Sequence, residues 1–337
     1  MKGYGPADPL QTPRFAGIST FLRLPHTLHL EGVDVAFVGL PFDTGVSFRA
    51  GARFGPKAIR EGSLSLRPAY NMAQRVAVFE QVSAIDYGDS GVVPGFIERS
   101  LERMAATLRE ICEAGVVPIG FGGDHSVLLA ELRAVAATHG PVALLQFDSH
   151  SDTWDEYFGE KYTHGTVIKR AWEEGLIDAK RSTLMGMRGG LYAPDDLDDA
   201  RQMGFTVLPW DDLAQFGTAA VAAAVDRAGD AKAFLTFDID FVDPAFAPGT
   251  GTPECGGPTS MQALSLLRAC RGLHIVGADV VEVLPDLDSS HLTGTLAATV
   301  AWEILSLIAV EWARRHPAQP VGEQDEPVEL GADGPTA

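Results

Sequence analysis

The chain has 337 residues, 46% hydrophobic and 21% charged, which suits a well-cored globular protein of one large α/β domain or two smaller ones and requires no assembly of modules. Its formal net charge of −19 at pH 7 argues against nucleic acid and against an anionic membrane surface as partners, while a negative field favours a cationic substrate. Cys112, Cys255 and Cys270 have neither CxxC spacing nor the even number of a disulfide framework, and the N-terminus lacks a basic segment followed by an apolar core, so a reducing, cytoplasmic setting is expected.

Residues 1–32 read as an N-terminal arm, rich in Pro, Gly and polar groups, laid over the domain or over a neighbouring subunit, with Phe15, Phe21 and Leu22 as apolar anchors. From Val33 onward apolar, β-branched runs alternate with helical patterns. VDVAFVGL (33–40) precedes a helix after Pro56, VSAIDYGD (82–89) precedes IERSLERMAATLREICEAG (97–115), and VVPIGFGG (116–123) precedes SVLLAELRAVAATHG (126–140). VALLQFD (142–148) leads through a loop to GTVIKRAWEEG (165–175), STLMGMR (182–188) to a helix near Asp195 to Met203, and FTVLPW (205–210) to one helical stretch over 211–229. AFLTFDID (233–240), SMQALSLLRACRG (260–272) and LHIVGADVVEV (273–283) complete the rhythm. Such alternation implies a mainly parallel sheet with helices on both faces, within a domain spanning 33–315. The late apolar stretch over 296–312 is interrupted by Glu303 and Glu311, too closely for a bilayer span, and reads as a mostly buried last helix. The tail over 316–337 has hardly a large apolar group and is expected to be disordered.

Three strand ends carry ligand-type side chains. Asp148, His150 and Asp152 alternate along FDSHSD, so a strand would point all three to one side. Asp238 and Asp240 repeat the device in FDID, and His125 follows a third run in GGDHS. An Asp after a buried strand can simply cap the next turn, and a lone His there is ordinarily structural. Three such ends together are better explained by a cation, because unpaired buried carboxylates are costly. Oxygen and nitrogen donors without thiolates suit hard or borderline divalent ions, and ligands of open α/β sheets sit beyond the carboxyl ends of the strands. GFGGDHS lacks the third glycine of a dinucleotide loop.

GGDHS, the DxHxD of Asp148, His150 and Asp152, and FDIDFVDPAFAPGTGTPECGG (237–257) resemble the three metal signatures of the ureohydrolases, the arginase and agmatinase superfamily. The resemblance runs from about Val33 to Val310. It implies a three-layer α/β/α sandwich around an eight-stranded parallel sheet, two manganese ions at the strand ends with nickel as the alternative, and a trimer or hexamer. By the same resemblance one ion is held by His125, Asp148, Asp152 and Asp238 and the other by Asp148, His150, Asp238 and Asp240, with Asp148 and Asp238 bridging. Hydrolysis of a resonance-stabilised guanidinium needs a nucleophile stronger than bulk water, which a divalent metal supplies near neutral pH. His164, in YTHGT, matches the family's acid-base position, and Glu282, in DVVEVLP, matches the carboxylate that grips the guanidinium, a planar fork suited to bidentate pairing. Thr252, in GTGTP, matches a hydroxyl near the guanidinium.

One departure bears on the substrate. Arginases place an asparagine two residues after DxHxD, followed by a Ser-Gly-Asn loop, and grip the amino-acid end of arginine with them. Here that position is Trp154 and the loop reads DEYFGEKYTHG (155–165). The resemblance is therefore to the agmatinase and guanidinobutyrase branch, with agmatine, a small cation, as the expected substrate. Hydrolysis of 4-guanidinobutyrate, guanidine or an alkylguanidine is the alternative. Asp155, Glu156 or Glu160 at the entrance would favour a distal ammonium and Lys161 a carboxylate; the sequence leaves open which faces the pocket. A non-catalytic partner subunit would be marked by a lost ligand or a lost acid-base histidine, and none is lost.

Overall fold

The computed structural model describes residues 3–316. The eight apolar runs become the strands β1 (Val35–Leu40), β2 (Ala84–Asp89), β3 (Val117–Gly122), β4 (Ala143–Phe147), β5 (Thr183–Met185), β6 (Thr206–Leu208), β7 (Lys232–Asp238) and β8 (His274–Val281). All neighbours pair in parallel, in the order β2-β1-β3-β8-β7-β4-β5-β6. The central strands are buried on both faces, with every residue of β1 and β4 buried, because helices cover each side.

The helices are α1 (Gly55–Ser63), α2 (Val78–Gln81), α3 (Ile97–Glu113), α4 (Leu128–His139), α5 (Val167–Glu173), α6 (Asp196–Gln202), α7 (Trp210–Phe216), α8 (Thr218–Ala228), α9 (Ser260–Arg268) and α10 (Leu292–Arg315). In α3, Leu101, Met104, Ala105, Leu108, Ile111 and Cys112 recur at three- and four-residue spacing and form its buried stripe. Two hydrophobic cores result, one on each face of the sheet. One joins α1, α8, α9 and α10 to the sheet and the other joins α3, α4 and α5 to it, giving the expected α/β/α sandwich.

Helix α10 is long and apolar enough to cross a membrane by length and composition, yet its most apolar window is 83% buried within the protein. Its two acids are satisfied inside the fold: Glu303 accepts from Asn71, Gln74 and Arg268, and Glu311 from Arg314 and Arg315.

Two expectations are corrected. The single helix over 211–229 is two, because Gly217 (φ 59°) takes a left-handed conformation that ends α7 and re-aims the chain into α8. Of the arm's anchors, Phe21 and Leu22 are buried in their own subunit rather than offered to another. Phe21 packs against Phe37 and Phe121, with ring centroids 4.3 and 4.9 Å away, and its N–H donates to Asp86. The sheet supplies an aromatic socket, so these side chains need no neighbour. Phe15 remains 88% exposed, together with Leu10 and Ile18. The tail expected from residue 316 lies, from 317 on, outside the described residues.

Candidate metal centre

The four central strands β3, β8, β7 and β4 are adjacent, and the chain leaves each at the same edge of the sheet. His125 lies in the turn after β3, Glu282 directly after β8, Asp238 ends β7 with Asp240 in the following turn, and Asp148, His150 and Asp152 follow β4. Strand β4 stops at Phe147, so the alternation of a strand is not what gathers FDSHSD. Local turns do it instead. Asp148 Oδ1 accepts from the His150 N–H at 2.6 Å, and Asp238 Oδ1 accepts from the Asp240 N–H at 2.8 Å. In each, one oxygen makes the capping bond typical of Asp after a strand. The other, Oδ2, faces the cluster. The capping and ligand readings of these residues are therefore compatible.

His125 Nδ1 has Asp152 Oδ2 at 2.8 Å, Asp148 Oδ2 at 3.0 Å and Asp238 Oδ2 at 3.5 Å. Across Asp148, His150 Nδ1 lies 3.5 Å from its Oδ1 and 3.1 Å from Asp240 Oδ2. Two groups of ligand atoms thus form, His125, Asp148 and Asp152 in one and Asp148, His150 and Asp240 in the other, sharing Asp148. Neighbouring side chains fix these carboxylates: Gln146 Nε2 donates to Asp148 Oδ2 at 2.8 Å, and Ser149 Oγ donates to Asp240 Oδ1 at 2.7 Å.

As it stands the cluster is electrostatically frustrated. Burial, then the charges of Asp240 and Asp148, push Asp238 well above the usual carboxylate range, and burial with the charge of Asp148 lifts Asp152 to about 6. Burial opposes a charge on His125, but hydrogen bonds to Asp148 and Asp152 and the charges of both push its imidazole well above the usual range. A divalent cation among these oxygens and nitrogens would relieve each of these conflicts, and the donor set is the right one for it.

Glu282 and His164, 118 residues apart, meet beside the cluster. Glu282 Oε1 accepts from the His125 N–H at 2.9 Å and lies 3.0 Å from His164 Nδ1, while Oε2 is buried with no partner. Both Glu282 (φ 61°) and Asp152 (φ 53°) hold left-handed backbone conformations, which cost of order 1–3 kcal/mol each and persist where the surroundings over-determine them. Burial opposes a charge on His164, but the Glu282 hydrogen bond together with the charges of Glu282, Asp152 and Asp124 outweighs it and pushes the imidazole up to about 9. The Ser47 N–H, 3.0 Å from Nε2, works in the opposite direction by favouring a lone pair there.

A cavity of about 960 Å³ opens onto Asp152, Asp238, Asp240, His150 and His164. Thr252 lines it and donates to Asp240 Oδ2 at 3.3 Å. Trp154 also lines it, edge-on to Tyr157 and Tyr192 at 5.5 and 5.8 Å between centroids, in an aromatic wall. Of the four charged loop residues left open, Glu156 lines the cavity, Asp155 is held by Arg170 at 2.6 Å and Lys169 at 3.3 Å, and neither Glu160 nor Lys161 is on the wall. Sequence reasoning missed Ser47, Arg49, Tyr192 and Glu254, all on this wall. Ser47, Arg49 and Tyr192 come from loops distant in the chain that no periodicity or spacing marks, whereas Glu254 lies within the third signature, two residues after Thr252.

The Arginase family model matches residues 33–306. Guanidinopropionase of Pseudomonas aeruginosa is 44% identical over 311 residues, 92% of this chain and 97% of that protein. Mitochondrial agmatinase of Gallus gallus is 43% identical over 296 residues, 88% of this chain and 87% of the other. Among solved structures, proclavaminate amidino hydrolase from Streptomyces clavuligerus superposes with a TM-score of 0.85 at 39% identity, covering 89% of this chain and all of that one. This sandwich, whose central strand ends carry two histidines and a set of carboxylates, belongs to the arginase family of ureohydrolases, enzymes that hydrolyse a C–N bond of guanidino compounds.

Proposed function

We propose that the protein hydrolyses agmatine to putrescine and urea, and that His125, Asp148, His150, Asp152, Asp238 and Asp240 would hold two manganese ions, Asp148 being common to both groups of ligand atoms. The mainly carboxylate donor set supports manganese, and the imidazoles leave nickel as the alternative. Two such ions, when bound, supply a strong nucleophile from water near neutral pH.

The protein's own groups do the rest. Glu282 Oε2, a buried acceptor with no partner, takes the guanidinium N–H, and Thr252 bounds the same space. His164 is fixed through Nδ1 by Glu282, and Nε2, which accepts from the Ser47 N–H, must turn from that bond to take up a proton and deliver it to the departing amine. The protonated leaving group matters because expelling an amide anion is prohibitive. Trp154, Tyr157 and Tyr192 form an apolar wall against the tail of the substrate.

The observation that carries agmatine is the charge of the cavity. Glu156 and Glu254 add to the cluster's carboxylates, and among the described residues Arg49 is the lone arginine or lysine on the wall. With Asp148 and Glu282 behind the wall counted as well, carboxylates outnumber the charges of two divalent ions, Arg49 and a protonated His164, which favours a cationic substrate. Arg49 itself favours a second reading, a guanidino acid whose carboxylate pairs with it. Relatives named guanidinopropionase and guanidinobutyrase support that reading, as one named agmatinase supports the first. Urea release from agmatine, 3-guanidinopropionate, 4-guanidinobutyrate and guanidine, after loading with manganese or nickel, decides between them. Turnover of the guanidino acids with none of agmatine overturns the first.

A further inference from the structure

The strand register sets Gly120 of β3, Asp279 of β8, Thr236 of β7 and Gln146 of β4 in one row across the sheet, with Thr236 and Gln146 two residues before Asp238 and Asp148. Glu131 of α4 reaches into this row. It occupies the space a side chain at Gly120 would take, since a Cβ there would sit 2.0 Å from Glu131 Oε1. Glu131 and Asp279 are both buried and face each other within hydrogen-bonding reach, with no arginine or lysine on either among the described residues.

Both Glu131 oxygens and Asp279 Oδ2 lack a donor, and a proton shared between the two carboxyls satisfies them. Burial and the charge of Asp279 hold Glu131 well above the usual carboxylate range, which makes Glu131 the acid and Asp279 the carboxylate. Asp279 Oδ1 accepts from the Phe237 N–H at 3.2 Å, and Thr236, its register partner on β7, carries a hydroxyl whose proton the Asp279 charge draws towards it. That hydroxyl has one proton. With it committed to Asp279, Thr236 Oγ1 can only accept from His125 Nε2, 2.9 Å away. With a cation in the cluster, the proton of His125 is then on Nε2, and the Nδ1 lone pair, among three carboxylate oxygens, is left for the metal.

We propose that Glu131, Asp279 and Thr236 form a buried positioning relay that holds His125 in the one tautomer able to bind a divalent cation through Nδ1. The proposal rests on the reading of His125 as a metal ligand. Its roles are unequal: Glu131 serves as a neutral acid, Asp279 as the charged acceptor and Thr236 as a one-proton link.

Mn2+ titrated calorimetrically into metal-free protein tests this, with circular dichroism confirming that each variant is folded. Thr236→Val keeps the shape and loses the hydroxyl, and one of the two Mn2+ equivalents is expected to bind about 10–100-fold more weakly, the usual effect of losing such a support. Thr236→Ser restores the hydroxyl and is expected to bind like the wild type. Asp279→Asn is expected to weaken the same site, whereas Glu131→Gln mimics the neutral acid and is expected to leave it intact. A Thr236→Val protein that binds both ions like the wild type overturns the relay, as does a Glu131→Gln protein that loses affinity as Asp279→Asn does. If the wild type binds no Mn2+, the metal reading fails first and the relay with it; if Asp279→Asn does not fold, the Thr236 pair decides alone.

Discussion

Glu282→Gln isolates a carboxylate that holds both the proposed substrate and the proposed acid-base group. The amide keeps the shape of a residue that is 1% exposed and leaves all six proposed ligands in place. What changes is charge and donor count. Charge-assisted hydrogen bonds are about twice as strong as neutral ones, so weakening those to the guanidinium and to His164 Nδ1 costs roughly 1–1.5 kcal/mol each. The new amide N–H₂ must also face a donor, either the His125 N–H that Oε1 now accepts at 2.9 Å or the guanidinium itself, at roughly 1–3 kcal/mol. The total, about 3–6 kcal/mol, corresponds to a fall in kcat/KM on the order of 10²–10⁴-fold. Steady-state urea release gives the rate, and metal analysis of the same sample should still find two ions per chain. Activity within tenfold of the wild type would refute the pairing of Glu282 with the guanidinium. Loss of metal in step with activity would make Glu282 a support of the cluster instead.

Asp148→Ala removes the side chain shared by both ligand groups, so activity should vanish with bound metal; a variant retaining both ions and normal turnover would show that the bridge is misassigned. His164→Ala should keep both ions and lower kcat by on the order of 10²–10⁴-fold, as rates normalised to metal content will reveal. Arginine should be hydrolysed on the order of 10²-fold or more slowly than agmatine, because Trp154 stands where arginases supply a polar partner and an unpaired carboxylate is costly; comparable rates would contradict that role for Trp154. With Leu10, Phe15 and Ile18 exposed on the arm, the protein should assemble as a homo-oligomer, a trimer or hexamer, and a light-scattering mass near 35.9 kDa would exclude this.

Much of the site could be read in the sequence because its parts are local. The eight strands announce themselves as apolar runs, and the proposed ligands sit within a few residues of three of those runs, where chain order alone puts them at one edge of a parallel sheet. Even the error about FDSHSD was harmless, since the Asp148 turn gathers the same side chains that an extended strand would have aligned. What periodicity cannot carry is which strand lies beside which. The order β3-β8-β7-β4 brings His164 to Glu282 across 118 residues and lines up Gly120, Asp279 and Thr236 beneath His125. Loop residues were undecidable for the same reason: Glu156 faces the cavity and Asp155 does not because Arg170, on α5, captures the latter. Phe21 is buried in its own subunit because Phe37 and Phe121, on two neighbouring strands, make a socket for it. Residue type and spacing determined the chemistry the chain could perform, because they act through short-range backbone geometry. The partner of each polar group was decided by packing between segments far apart in the chain, which only the assembled sheet brings into contact.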